Sequence, residues 1–199
     1  MKELLVYVHG KGGSAEEAER YRALFMRGDV LGFDYCAQTP WEAKNEFQSV
    51  FNALGKNYDR ITLLANSIGA FFSMSALTES HIDKALFISP IVNMEKLICD
   101  MMTWAQVTED ELQRRGEIPT EFGETLSWEY LSYVRTNPIK WAVPTAILYG
   151  DKDNLTSLST VTAFAEETGA TLTVMAGGEH WFHTDEQLAF LDEWFKRSI

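Results

Sequence analysis

The sequence predicts an α/β fold, a three-layer α/β/α sandwich on a mostly parallel sheet of about six strands. Short apolar runs recur along the chain, and several are almost continuously hydrophobic, as expected for strands that helices cover on both faces. Segments of helical length separate these runs, and this alternation is typical of parallel sheets. The predicted strands are Leu4–His9, Val30–Tyr35, Ile61–Ala65, Lys84–Ser89, Thr145–Tyr149 and Thr171–Met175.

The segments around these strands are rich in good helix formers. In the last of them, Leu188, Leu191 and Trp194 fall on one face, which predicts a helix that packs on the sheet. His81 lies in a polar connection, where we expect it to be solvated. The predicted helices are Ala15–Gly28, Pro40–Tyr58, Ile68–Ser80, Leu155–Thr168 and Thr184–Arg197.

Residues 94–140 interrupt the alternation of predicted strands and helices. They carry no strong strand signal. Thr108–Glu111 has the spacing of a helix-capping box, and Ser127–Arg135 predicts another short helix. Breakers separate these stretches, namely Gly116, Pro119 and Gly123. We interpret residues 94–140 as a helical lid insertion within one domain that spans residues 1–199.

Composition excludes several classes of partner. The formal net charge of −12 disfavours binding to nucleic acid or to an anionic membrane surface, because both would be repelled. No apolar stretch approaches the roughly 18 residues that span a bilayer, and Leu4 follows too soon for a leader segment. Cys36 and Cys99 stand in unrelated contexts, which disfavours a disulfide framework. We expect a cytoplasmic protein, and the composition does not specify its oligomeric state.

Ser67 stands between a predicted strand and a predicted helix, in the segment Leu64–Gly69. A side chain on such a tight turn projects above the sheet, at the positive end of the following helix. The small residues Ala65 and Gly69 allow the strand and the helix to approach closely. Because a serine hydroxyl alone is a weak nucleophile, this role requires a nearby base.

Candidate acids and bases follow two later strands. Asp151 and Asp153 come after the strand that ends at Gly150, and His180 and His183 come after Thr171–Met175. Both groups lie at carboxyl ends of predicted strands, the edge at which open α/β sheets build their sites. Serine, acid and histidine also occur in the chain order expected for a catalytic triad on this architecture. On the residues alone, both aspartates and both histidines remain candidates.

A glycine-rich loop, His9–Ser14, follows the first predicted strand. Its backbone N–H at Lys11, together with that of Ile68, could stabilise a tetrahedral oxyanion. We expect His9 to shape this loop. The glycine spacing matches neither the dinucleotide fingerprint nor the phosphate loop, so nucleotide binding is disfavoured.

A metal site is also disfavoured. His180 and His183 could form a pair assisted by Glu179 or Asp185, but no third ligand stands at a typical spacing. We therefore expect neither a metal nor a cofactor.

These motifs resemble those of the α/β-hydrolase superfamily, specifically its small lidded serine esterase-like members, over nearly the whole chain. The family pattern of glycine, two residues and then the acid selects Asp153, and the histidine after a glycine-rich turn selects His180. The chain departs from the pattern at Ala65, where the family usually has glycine. It also starts directly at what resembles the family's third strand.

The resemblance implies a serine hydrolase that acts on a small carboxylic ester or thioester through an acyl-enzyme. Ser67, His180 and Asp153 would form the triad, and Lys11 and Ile68 would supply the oxyanion donors. The alternatives are a serine peptidase or a carbon–carbon bond hydrolase with the same triad, or a noncatalytic small-molecule binding protein of this fold.

Aromatic residues supply the predicted substrate pocket. Most of those in the insertion are expected to pack it onto the body, and one or two to line an apolar pocket over Ser67. An apolar pocket favours an uncharged acyl or aryl group. The predicted pocket residues are Trp41, Trp104, Trp128 and Trp181.

Overall fold

The computed structural model describes residues 1–77 and 82–199. It divides into two compact units, residues 1–92 with 140–199 and residues 93–139. The end of the predicted helix Ile68–Ser80 and the predicted solvated His81 lie outside the described residues.

Strands lie at all six predicted positions. In the described part of the chain the strands are β1 (Glu3–Val8), β2 (Asp29–Phe33), β3 (Arg60–Asn66), β4 (Lys84–Ile88), β5 (Glu117–Pro119), β6 (Thr125–Ser127), β7 (Thr145–Gly150) and β8 (Thr171–Met175). All except β5 and β6 join one sheet.

The sheet has the order β2-β1-β3-β4-β7-β8, and all of its strand pairs are parallel. The chain runs from β1 outward to β2 and then returns to β3 on the other side of β1. The carboxyl ends of β1 and β3 therefore meet where the direction of winding reverses, which is where open α/β sheets bind ligands. Val8 lies opposite Ala65 at this point.

Helices accompany the strands as predicted for an α/β fold. In the described residues they are α1 (Glu19–Arg22), α2 (Pro40–Leu54), α3 (Ile68–Ala76), α4 (Met94–Trp104), α5 (Glu109–Arg115), α6 (Trp128–Thr136), α7 (Leu158–Thr168) and α8 (Asp185–Ser198). A 3₁₀ turn at Ala15–Ala18 precedes α1. Within these ranges, no helix combines the length and the apolar character that crossing a membrane requires.

Both faces of the sheet are buried under aromatic side chains. On one face the ring of Tyr21 lies 5.6 Å from that of Tyr7 and 5.0 Å from that of Phe195, which joins α1 and α8 to β1. On the other face Phe33 packs against Phe47 of α2, with ring centroids 4.8 Å apart. The sheet is therefore the middle layer of three, as predicted.

Some predicted helices are longer than the observed ones. The predicted Ala15–Gly28 is only a 3₁₀ turn followed by α1, because the chain leaves the helix at Ala23 to enter β2. The predicted start of α7 at Leu155 is also early. There the backbone N–H groups bind the Asp153 side chain instead, and the helix, capped by Ser157, starts at Leu158, three residues later than predicted.

The unit of residues 93–139 has its own small core, with buried Leu97, Leu112 and Leu131 from its three helices. The Arg135 guanidinium of α6 donates to Glu95 of α4 at 2.8 Å and to Glu109 of α5 at 2.6 and 2.9 Å. These bonds connect all three helices. The boundaries of this unit lie one residue before those of the predicted insertion at each end.

The prediction of helices and breakers alone in this segment was wrong. β5 and β6 form a short antiparallel hairpin there, in which Ile118 pairs with Leu126. Three residues per strand are too few to produce a recognisable alternation, and Pro119 itself lies in β5. The observed turn contains Gly123 at a φ of 85°, so the predicted breaker serves as a hairpin residue.

Candidate active site

Ser67 lies on the tight turn between β3 and α3. Its φ of 51° and ψ of −120° are outside the regions that non-glycine residues favour, a conformation that costs about 1–3 kcal/mol. Hydrogen bonds hold it there, because the Ser67 N–H donates to Ile88 at 3.0 Å and its carbonyl accepts from Ile91 at 3.2 Å. The end of β4 and the segment that follows it thus hold the strained turn.

Close packing around this turn depends on small residues. A Cβ at Gly69 would lie 2.3 Å from the His9 carbonyl oxygen, so only glycine fits where α3 begins. A Cβ at Gly10 would lie 3.2 Å from the Cβ of Ser67, which puts the loop after β1 directly beside the turn. Ala65 is fully buried, and the sheet accommodates its methyl group.

His180 connects Ser67 to Asp153. The Ser67 hydroxyl lies 2.8 Å from His180 Nε2, and His180 Nδ1 lies 2.7 Å from Asp153 Oδ2. The Asp153 carboxylate is fully buried, so it requires the Nδ1–H as a donor. In the neutral imidazole this leaves Nε2 as an acceptor for the serine hydroxyl. The structure therefore brings the predicted nucleophile, base and acid into one hydrogen-bonded row.

Backbone bonds fix the acid. Asp153 Oδ1 accepts the N–H groups of Leu155 and Thr156 at 2.8 and 3.0 Å, which orients the carboxylate toward the histidine. The loop that carries Asp153 also pairs with the loop before His180, through a bond of 2.8 Å from Lys152 N–H to the Gly178 carbonyl. Asp153 and His180 thus lie on two loops that are hydrogen-bonded to each other.

The competing aspartate and histidine lie outside this row. Asp151 accepts the Gly177 N–H at 2.7 Å and so stabilises the turn after β8. His183 is stacked on Trp181, with ring centroids 4.7 Å apart, and its Nδ1 lies 2.8 Å from the Trp181 carbonyl and 3.4 Å from Glu179. In the part of the chain that the structure describes, no three His, Cys, Asp or Glu side chains are grouped to hold a metal ion.

The predicted oxyanion donors occupy the turn after β1 and the start of α3. Lys11 lies in a tight turn closed by a bond of 3.1 Å from Gly13 N–H to the Gly10 carbonyl. Ile68 is the first residue of α3, where backbone N–H groups have no acceptor within the helix. His9 stacks on Tyr35 at 4.3 Å, and the Tyr35 hydroxyl donates to the His9 carbonyl at 2.9 Å.

The four predicted pocket tryptophans have different surroundings. Trp181 directly follows His180 and is 70% exposed, whereas Trp41 is half-buried in the first turn of α2. Trp104 and Trp128 belong to the unit of residues 93–139, where Trp104 packs edge-on against Phe122 with ring centroids 6.1 Å apart. That they line a pocket over Ser67 stays a prediction.

Sequence reasoning missed a polar network behind the turn. The buried Tyr7 hydroxyl donates to the Glu17 carboxylate, which also accepts the Ser14 N–H at 3.3 Å. Burial, followed by the hydrogen bond to Glu17, raises the pKa of Tyr7 far above its ordinary value, whereas a bond from Asn66 opposes this shift. The network links β1, the loop after it and the end of β3. The capping-box spacing of Ser14 and Glu17 was the signal that could have located it.

Solved structures similar to this chain share its fold. Est1E from Butyrivibrio proteoclasticus is 18% identical with a TM-score of 0.78, over 98% of this chain and 86% of that chain. Mouse alpha/beta hydrolase domain-containing protein 10 is 14% identical with a TM-score of 0.76, over 98% and 88%. A putative hydrolase from Agrobacterium vitis is 15% identical with a TM-score of 0.74, over 100% and 88%. No protein-family model and no curated protein sequence matches the chain. These likenesses establish the α/β-hydrolase fold.

Proposed function

On the premise of the α/β-hydrolase fold, we propose that this protein is a serine hydrolase that cleaves a carboxylic ester or thioester of a small acyl compound. The observation that carries the proposal is the row of hydrogen bonds from Ser67 through His180 to Asp153, at 2.8 and 2.7 Å. Contacts of this length are within the reach that proton transfer between a nucleophile and its base requires.

Acylation begins when the Ser67 oxygen attacks the carbonyl carbon of the substrate. His180 Nε2 takes the hydroxyl proton as the new carbon–oxygen bond forms, and the carbonyl oxygen becomes an oxyanion. The backbone N–H groups of Lys11 and Ile68 stabilise this charge. When the tetrahedral intermediate collapses, His180 returns the proton to the leaving alcohol or thiol, and the acyl group stays on Ser67.

Deacylation repeats these steps with water. His180 removes a proton from the water molecule, the hydroxide attacks the acyl carbon, and the proton returns to Ser67 as the carboxylic acid leaves. Throughout, Asp153 holds the imidazole in the required tautomer and stabilises its charged form. The reaction balances with water alone, so the proposal includes no cofactor.

An active-site probe tests the nucleophile. A fluorophosphonate should label the wild-type protein at Ser67, and the Ser67→Ala variant should remain unlabelled. Ser75→Ala is the matched control, because Ser75 lies on α3 but not at the turn, and it should label like the wild type. Labelling of Ser67→Ala at the wild-type rate would exclude Ser67 as the nucleophile.

A substrate panel tests the reaction class. Aryl esters and thioesters of increasing acyl length should be hydrolysed, and the matching amides should be cleaved much more slowly. A feruloyl ester belongs in the panel, because the structural neighbour Est1E has been solved with ferulic acid bound. Faster cleavage of the amides would favour the peptidase alternative. A protein that reacts with neither the panel nor the probe would be a noncatalytic binder.

A further inference from the structure

We propose that a cavity on the α1 and α8 side of the sheet is a second ligand site, and that it takes a small aromatic ammonium ion. The cavity has a volume of about 350 Å³. Its described lining residues come from β1, the 3₁₀ turn, α1, the ends of β3 and β4, the loop after His180, and α8. They include neither Ser67 nor His180, although Asn66 and Trp181 are direct chain neighbours of these two residues. The site is therefore distinct from the reacting atoms, and its occupancy does not depend on the proposed hydrolysis.

The polar groups of the wall favour a hydrogen-bond donor. Glu17 presents a carboxylate there, and an ionised carboxylate can only accept. The side-chain oxygen of Asn66 is buried and accepts no hydrogen bond from the residues that the structure describes. A buried acceptor without a donor is destabilising, so Asn66 also favours a ligand that can donate a hydrogen bond.

The charges around the cavity favour a cation. The only guanidinium among the described lining residues, that of Arg20, donates to Asp192 at 2.9 Å and to the Leu188 carbonyl at 3.0 Å, so an acidic neighbour already balances its charge. The bond that Glu17 accepts from Tyr7 comes from a neutral phenol, which leaves the carboxylate charge uncompensated by that partner. An anionic ligand would be repelled by Glu17, whereas an ammonium group would pair with it.

Aromatic side chains line the rest of the cavity. Tyr7, Tyr21 and Phe182 contribute to the wall, and Trp181, which is 70% exposed, stands where the loop after His180 borders it. Aromatic faces attract both cations and other rings. The volume lies at the lower end of the range for small-molecule pockets, which suits a ligand with a single ring. The charge of Glu17, the acceptors in the wall and the volume of the cavity thus all favour an aromatic ammonium ion.

Binding can be measured directly with para-fluorobenzylammonium as the probe, by fluorine NMR titration against the wild-type protein. We expect saturable binding of this ion, weaker binding of para-fluorobenzyl alcohol and none of para-fluorobenzoate. Glu17→Gln should weaken binding of the ammonium ion about threefold to fivefold, because it removes the charge and keeps the size of a side chain that is itself exposed. Glu16→Gln, an adjacent exposed position outside the cavity lining, should leave the affinity unchanged.

A second variant keeps the proposal testable if Glu17→Gln fails to fold. Trp181→Ala removes a mostly exposed ring and should weaken binding about fivefold without unfolding the protein. Wild-type protein labelled at its nucleophile by the fluorophosphonate should bind the ion as before. Absence of saturable binding, binding of the benzoate as tight as that of the ammonium ion, or equal affinities in Glu17→Gln and Glu16→Gln would each overturn the proposal. None of these results bears on hydrolysis, which the probe and the ester panel test separately.

Discussion

At the scale of single residues, the two carboxylate oxygens of Asp153 have different tasks. One accepts two backbone N–H groups, and the other accepts the Nδ1–H of His180. An asparagine could keep the first task, since its oxygen also accepts. Its NH₂ group, however, would then donate to Nδ1, so that the proton of the neutral imidazole would move to Nε2. In that tautomer the imidazole cannot take the proton of Ser67.

We therefore predict that Asp153→Asn lowers kcat for an aryl ester by about 10⁴-fold, the effect of a wrong histidine tautomer in a serine protease triad. Its midpoint of urea unfolding should stay close to that of the wild type. The matched variant Asp151→Asn should keep nearly full activity, because Asp151 only accepts the Gly177 N–H, as an amide oxygen also can. Comparable losses of kcat in both variants would contradict the assignment of Asp153 as the acid.

At the scale of elements, the contact between α3 and the end of β1 determines the shape of the turn at Ser67. The start of α3 approaches the His9 carbonyl so closely that a methyl group at Gly69 has no room. The other small position, Ala65, lies inside β3, where a methyl group is already packed. The two small residues of the motif thus have different importance, which the motif alone does not reveal.

Gly69→Ala should destabilise the protein by about 1–3 kcal/mol, because the helix must shift away from the loop after β1. The same shift should slow fluorophosphonate labelling. Ala65→Gly, which restores the usual family residue, should cost only about 0.5–1 kcal/mol and keep the labelling rate. Urea unfolding and labelling kinetics measure both effects. If Gly69→Ala labelled as fast as the wild type, the close approach would be unimportant for the nucleophile.

The sequence predicts elements well where one physical cause dominates. The four inner strands β1, β3, β4 and β7 are buried along almost their whole length, so each reads as an apolar run, and Ser67 and Asp153 follow two of them. The edge strands β2 and β8 are partly exposed. Helix ends were predicted less well, because α7 starts late when Asp153 binds the N–H groups at its predicted start. The capping-box spacing indicates only the local bond between Ser14 and Glu17. The bond from Tyr7 to Glu17 could not be predicted from the sequence, because it depends on how the loop folds back onto β1.

At the scale of the whole molecule, several buried tyrosines make the stability of the fold sensitive to alkaline pH. Burial is the first cause of the raised pKa of Tyr21 and Tyr35, and burial with the charge of Asp153 raises the pKa of Tyr149 to about 12. In the unfolded chain these phenols ionise near the ordinary value of 10.0. Above that pH the unfolded state binds fewer protons than the folded state, so the free energy of unfolding falls as pH rises.

We expect the buried tyrosines to leave the free energy of unfolding unchanged below about pH 9. Above about pH 10 the free energy of unfolding should fall steeply. Tyr21→Phe should reduce the slope, by about 0.7 kcal/mol per pH unit near the ordinary tyrosine pKa and by up to about 1.4 kcal/mol per pH unit from about one pH unit above it, since it removes one phenol that ionises only after unfolding. Urea unfolding at a series of pH values provides the comparison. Parallel curves for the two proteins would contradict a role for Tyr21 in alkaline unfolding.

The wide separation of Ser67 and His180 along the chain has a consequence during synthesis. The proposed base follows the proposed nucleophile by 113 residues, and residues 93–139 lie between them in the sequence. At translation rates of about 5–20 residues per second, the ribosome exposes the serine several seconds before the histidine exists. Under the proposed mechanism the nascent serine hydroxyl would have no base during that interval and would be inert toward acyl compounds, so reactivity would begin only when the last strand and its loop are in place.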